Sequence, residues 1–148
     1  MHRRVLIPVV CLAVASAALL GVGVFWAQAE EKSAAEVPAK IPDEEKRREN
    51  PQEATPQSIA NGKQIFSSQC AMCHGATGDG KGDLAERIGY KMPDFADPNA
   101  QAARTDGEYF YIVTHGHAKM SGEGERLSEA IRWNLVNYIR SLAPQGAS

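Results

Sequence analysis

The chain has 148 residues, room for one small domain and some extras. Hydrophobic residues make up 43% and charged ones 23%, and the formal net charge is −2. With no long basic run, nucleic-acid binding is not indicated. Two of the three cysteines, Cys70 and Cys73, share one short motif, so no disulfide framework is available to staple the fold.

In chain order, His2-Arg3-Arg4 comes first. An apolar stretch of 22 residues follows, from Val5 to Trp26, interrupted by Ser16 and carrying Pro8 early. Two readings stand. Ala27-Gln28-Ala29 before Glu30-Glu31 fits the small-x-small rule of a cleaved secretory signal. As an uncleaved anchor the stretch reaches about 33 Å at 1.5 Å per residue, enough to span a bilayer. Phe25-Trp26 would then be interfacial aromatics, with Arg3-Arg4 on the cytoplasmic side. Residues 1–29 are therefore expected to be a signal peptide or an N-terminal membrane anchor, the anchor being favoured because a long spacer follows. Either way, the rest of the chain lies on the periplasmic side of the cytoplasmic membrane. That remainder keeps 14 bases against 18 acids, a net charge of −4. Cys11 lacks the small-residue context of a lipoprotein signal and reads as an apolar leader residue.

Residues 30–54 form the spacer. Glu30 to Glu53 holds eight acids, five bases and the prolines Pro38, Pro42 and Pro51, with few large apolar residues. Such a segment buries too little surface to offset its ordering entropy and is expected to be an extended or disordered tether. A transient helix over residues 44–49 would have no apolar face.

The folded domain is expected over residues 55–148. Thr55 is a helix N-cap and Pro56 fits the first helical position. Ile59, Gly62 and Phe66 recur at helical spacing and define a buried face of a helix running into Cys70. A mid-helix glycine costs about 1 kcal/mol, which a close helix crossing at Gly62 would recover.

Cys70-Ala71-Met72-Cys73-His74 reads Cys-x-x-Cys-His, the attachment signal for a c-type haem. Each cysteine can form a thioether with a haem vinyl group, and His74 then sits under the iron as its proximal ligand. The alternatives are a thioredoxin-type thiol pair or half of a zinc site. Zinc would need a second cysteine or histidine pair, and a thiol pair would need a βαβ context.

Beyond His74, residues 75–83 carry four glycines in nine positions, a turn-rich loop. No strand precedes it and no Gly-Lys-Ser/Thr follows, so it is not a phosphate loop. It is expected to let backbone pass close to the haem edge. Residues 84–88 suggest a helical turn, and Met92-Pro93-Asp94-Phe95 an extended segment, because Pro93 disfavours helix at Met92. Thr105-Asp106-Gly107-Glu108 is a capping box opening a helix with Tyr109, Phe110, Ile112 and Val113 on its apolar face and Gly116 at its end. Ser128 caps a last helix over residues 129–142, stopped by Pro144. No strand pattern and no internal repeat is visible.

From about Thr55 to Ala143 the sequence resembles a class I c-type cytochrome of the single-haem bacterial kind. The resemblance rests on Gly62 and Phe66 ahead of Cys70, Cys73 and His74, on the Met120 loop, and on the closing stretch from Trp133 to Leu142. It implies an all-α fold of about three to four helices wrapped around one covalently bound haem c. It also implies that the first and last helices cross, with Gly62 and Phe66 against Leu135 and Tyr138. By the same resemblance Met120 is the second axial ligand, although Ser121 follows it where the family often has proline. Met92 does precede a proline, and the region of Pro93 is expected to offer a backbone carbonyl to His74. His115 and His117 are competing ligands, with a solvated loop position the favoured reading for both.

The cofactor-binding set is thus Cys70, Cys73, His74 and Met120, with His74 and Met120 on the iron. Histidine and methionine would close both axial positions, leaving no place for substrate. The thioether favours ferrous iron and raises the potential. The function implied is a non-enzymatic electron carrier between redox protein partners, a donor and an acceptor. The alternatives are a haem enzyme or gas sensor with a labile sixth ligand, or the electron-transfer subunit of a larger oxidoreductase.

Overall fold

A computed structural model describes residues 40–144. The leader, Cys11 and the first part of the spacer lie outside the described residues. Among the described residues, no helix is long and apolar enough to cross a membrane.

The first long helix, α2 (Pro56–Ile65), follows a short α1 (Asp43–Lys46). It starts where its cap predicts: Thr55 accepts from the Ser58 N–H at 3.1 Å, and Pro56 fills the first position. It does not continue as α-helix to Cys70. Phe66–Cys70 is a widened π-helical turn. There Ser68 Oγ donates to the Gln64 and Ile65 carbonyls at 3.0 and 3.1 Å, supporting the acceptors where the ladder changes pitch. One further turn, α3 (Ala71–His74), ends at Gly75, whose φ of +80° suits glycine.

Two short helices follow, α4 (Asp83–Arg87) and α5 (Pro98–Ala102). The second was not anticipated, although Asp97-Pro98 supplies both cap and first position. The capping box forms in full at α6 (Asp106–His115), with Thr105 and Glu108 satisfying each other's backbone N–H at 3.1 and 2.9 Å. A two-residue antiparallel pair, β1 (Gly116–His117) and β2 (Met120–Ser121), differs from the strand-free expectation. It is too short to leave an alternating pattern. The last helix, α7 (Glu129–Ser141), is capped by Ser128. The fold is all-α in class: three longer helices, α2, α6 and α7, with short turns between them.

The crossing of α2 and α7 organises the core. A Cβ at Gly62 would overlap the Asn134 carbonyl and lie 2.8 Å from Tyr138 Cβ, so the backbones meet where a side chain would stand. Phe66 packs edge-on to Tyr138, ring centroids 5.2 Å apart, with Leu135, Trp133 and Val136 fully buried nearby. A polar seam runs beside this contact. Ser58 Oγ donates to Asn134 Oδ1 at 2.7 Å and accepts from Asn137 Nδ2 at 2.8 Å.

Residues 40–54 differ from the disordered tether expected of them, being folded onto α6 and α7. Asn50 Nδ2 donates to Asn137 Oδ1 at 2.7 Å. Asn137 Nδ2 reaches back to the Gln52 and Glu53 carbonyls at 3.0 and 3.2 Å. Arg48 pairs with Glu129 and lies 4.5 Å from the Phe110 ring centroid and 5.4 Å from that of Trp133. Gly107 makes room, since a Cβ there would lie 2.8 Å from the Arg48 carbonyl. The segment is held by hydrogen bonds and a guanidinium against rings, interactions to which a count of apolar residues is blind.

Candidate cofactor site

The Cys-x-x-Cys-His segment spans the end of the π-helical turn and all of α3. Cys70 and Cys73 are free thiols, each half-buried. His74 is 8% exposed and lies among aromatic rings. The Phe95 ring stacks on it at 5.0 Å and 21°, and Phe66 tilts against it at 6.3 Å and 50°.

Burial sets the charge states. It pushes the His74 imidazolium well below its ordinary range, to about 4, so the ring is neutral at pH 7 and carries a free lone pair. It pushes the Cys70 thiol up to about 12, with the negative charges of Glu123 and Cys73 adding to the shift. Thioredoxin-type chemistry needs the opposite, a thiol drawn down towards neutrality. Among the described residues, no three His, Cys, Asp or Glu side chains converge as a metal site, so zinc has no ligand set. What the segment does fit is a covalently held haem. Two free cysteines flank one helical turn that ends in a buried, neutral imidazole, and its Nδ1 has no hydrogen-bond partner.

The glycine loop packs on this turn directly. A Cβ at Gly82 would crowd the Met72 carbonyl and lie 2.5 Å from the Cys73 carbonyl carbon. Gly80 N–H donates to the His74 carbonyl at 2.9 Å. A Cβ at Gly80 would stand 2.9 Å from the Met92 carbonyl oxygen and 3.0 Å from that of Pro93. Those carbonyls close on Gly80, and the bond expected from the Pro93 region to His74 is not formed.

Met120 is half-buried in β2, opposite His117 across a turn whose Ala118 has φ +51°. His117 is exposed. His115 is exposed too, its ring 4.4 Å from that of Tyr111. Met72, between the two cysteines, is 65% exposed, and Met92 is half-buried.

Two residues at the site went unmarked in the sequence. Phe95 was read only as part of an extended segment, yet it forms a wall of the His74 pocket. Glu123 is 7% exposed, pairs with Arg126 through Oε1, and has no partner for its buried Oε2. A lone glutamate in a polar loop carries no pattern that would announce burial.

Several known proteins resemble this chain in sequence or fold. Residues 57–139 match the family described as cytochrome C oxidase, cbb3-type, subunit III. Over 96 residues the chain is 34% identical to cytochrome c6 of Bumilleriopsis filiformis, covering 60% of the chain and 95% of that relative. Over 88 residues it is 35% identical to thiosulfate dehydrogenase of Stutzerimonas stutzeri (strain A1501). That match covers 56% of the chain but only 27% of the relative. Among solved structures, the KustC0563 c-type cytochrome superposes with a TM-score of 0.50 at 27% identity, covering 56% of the chain and 98% of that structure. A chain of the Kuenenia stuttgartiensis reducing HAO-like protein complex superposes with a TM-score of 0.56 at 27% identity. There, 64% of the present chain matches 47% of the other.

Proposed function

The chain belongs to the class I c-type cytochromes, within the family described as cytochrome C oxidase, cbb3-type, subunit III, and from that premise we propose that it is a single-haem electron carrier. The observation that carries the reading is the pairing of two free cysteines with a buried, neutral His74 at the end of one helical turn. Cys70 and Cys73 would hold haem c by thioethers, and His74 would ligate the iron from one face. Met120 is the sixth ligand in this reading; its half-buried place on the hairpin before α7 and the exposure of His115 and His117 support it. Bound there, the haem supplies a one-electron ferric/ferrous couple.

The remaining residues exclude water and hold geometry. Phe66, Phe95 and Tyr109 give the His74 side an apolar wall, which disfavours the extra charge of the ferric form. The proposed partners are redox proteins that donate and accept single electrons. A second reading, an electron-transfer module of a larger oxidoreductase, is favoured by the matches to thiosulfate dehydrogenase and to the HAO-like complex. In either case the stretch from Val5 to Trp26 is proposed to deliver the domain to the periplasmic side of the cytoplasmic membrane, as an anchor or as a cleaved signal.

The test is a visible spectrum of the ferrous protein before and after carbon monoxide. A haem spectrum unmoved by carbon monoxide is expected of two firm axial ligands. A rapid shift would move the sensor or enzyme reading to the front. No haem absorbance after expression with a haem-attachment system would end the proposal and return Cys70 and Cys73 to thiol chemistry.

A further inference from the structure

Two segments remote in sequence meet at the rim of the cofactor site. Lys119 sets its Nζ 5.6 Å from the Tyr90 ring centroid, joining the loop after α4 to the hairpin that carries Met120. At its other end the α4 segment leans on the attachment turn, where Gly82 has no room for a Cβ against the Met72 and Cys73 carbonyls. One segment thus borders Cys73 and the other Met120. From Arg87 to Pro93, and from Thr114 to Gly122, neither contains an acid. We propose that this rim docks an acidic face of a redox protein partner. Arg87, Lys91 and Lys119 supply the charge, and Met72 and Ile88 the apolar contact. The inference deepens the electron-carrier reading and rests on it.

The charge is available to a partner. Arg87, Lys91 and Lys119 are exposed, as are His115 and His117. Among the described residues none of the three cations is held in an ion pair. The basic run Lys46-Arg47-Arg48 differs: Lys46 is bonded to Asp43 at 2.8 Å, and Arg48 pairs with Glu129. An ion pair already made cancels most of its own field, whereas unpaired charges of one sign steer an oppositely charged partner. The apolar contact lies on the same rim. Among the described residues the large apolar side chains that stand exposed are Met72, at 65%, and Ile88, at 49%. Met72 is on α3 and Ile88 ends α4, and these two short helices pack together beside Cys73. Haem attachment leaves Met72 outside. Cys70 and Cys73, three residues apart, share the face of the turn that would meet the porphyrin, and Met72 lies off that face.

Rim and molecule carry opposite signs. Beyond residue 29 the chain holds 14 bases against 18 acids, a net charge of −4, and haem propionates would add to it. Net charge therefore predicts that an anion is repelled, whereas the rim predicts that it is drawn to the place where the electron leaves. Cations around a small apolar contact suit a transient complex, in which charge steers the encounter and sets the register.

The experiment follows stopped-flow oxidation of the ferrous holoprotein by ferricyanide, an anion, and by tris(phenanthroline)cobalt(III), a cation, across a range of ionic strength. In each reaction the haem iron gives up one electron and the metal complex gains it. Expected is a ferricyanide rate that falls as salt rises and a cobalt rate that rises. The double variant Lys91→Glu with Lys119→Glu should slow ferricyanide about tenfold at low salt, the lower end of what steering contributes, and speed the cobalt complex. Lys63→Glu, at an exposed position on α2, should leave the sign of both salt dependences unchanged. A shift in potential moves both rates the same way, so opposite movement identifies charge. A second readout needs no electron transfer. Titration with a poly-glutamate peptide carrying one central leucine should shift the amide NMR signals of residues 87–91 and 117–119, and Met72→Gln should weaken its binding. A parent ferricyanide rate that rises with salt, or one unmoved by the double variant, would overturn the inference. So would peptide shifts centred on residues 46–48, and an unchanged affinity in Met72→Gln would remove the apolar contact from it. A parent protein that takes up no haem would instead refute the electron-carrier reading on which the inference rests.

Discussion

Replacing Gly62 by alanine tests the helix crossing on which the site is built. At an exposed helix centre this change stabilises by about 1 kcal/mol, because glycine is the poorer helix former. Here the added methyl would overlap the Asn134 carbonyl, lying 2.7 Å from its carbon, and would also lie 2.8 Å from Tyr138 Cβ. Two of the three obstructing atoms are backbone and the third is a Cβ, so no rotamer change relieves the clash, and α7 must move outwards. Overpacking of this kind costs about 1–3 kcal/mol, and a rigid obstruction belongs at the upper end. Displacing α7 also loosens the edge contact of Phe66 with Tyr138, worth about 1 kcal/mol. The balance is a loss of about 3 kcal/mol, or a fall in Tm of more than about 10 °C for a domain of this size. The assay is urea denaturation of the holoprotein followed by far-ultraviolet circular dichroism, with Lys63→Ala at the neighbouring exposed position as the control. A Gly62→Ala protein as stable as its parent, or more stable, would refute the close crossing.

Asn137→Leu keeps the branched shape but removes the partners of Asn50, Ser58 and the Gln52 and Glu53 carbonyls, and should cost about 3 kcal/mol. It should also speed proteolytic cleavage within residues 47–53; an unchanged cleavage pattern would mean the segment is held by other contacts. Met120→Ala should leave the haem attached, open the iron to carbon monoxide and lower the potential on the order of 0.1 V, within the ~0.8 V range that axial ligands span. A spectrum still methionine-ligated would show the ligand assignment to be wrong. Cys70→Ser or Cys73→Ser should leave at most one thioether, read as loss of most haem that survives denaturing electrophoresis and as a shifted ferrous band.

The legible parts of this fold are those governed by local rules. Thr55, Thr105 and Ser128 cap the helices they head because a side-chain oxygen answers a backbone N–H three residues on. That relation is written in adjacent letters. Gly62 was legible for another reason: a costly residue at a buried helical position implies a compensating approach, and Asn134 and Tyr138 provide it. The Cys-x-x-Cys-His turn was legible because its chemistry demands residue types at fixed spacing. The widened turn from Phe66 to Cys70 was not, since the same letters satisfy either pitch and tertiary packing decides between them.

The ordering of residues 40–54 shows why composition failed there. A segment that lacks apolar side chains predicts a tether only if hydrophobic burial is the one term able to offset chain entropy. The structure supplies three others at once. Arg48 lays its guanidinium against Phe110 and Trp133 while pairing with Glu129. Asn50 donates to Asn137 and, at 3.4 Å, to the Trp133 carbonyl. Asn137 shares the two hydrogens of its amide among Ser58, Gln52 and Glu53. These partners stand more than 60 positions away in sequence, so no local window contains the pairing. The same long-range logic applies at His74. The ring stacked on it is Phe95, which the chain places 21 residues later and holds through Gln101, whose amide also reaches Ile139. The attachment motif is therefore read locally in this molecule, whereas the aromatic surroundings of His74 are contacts that only the folded chain brings together.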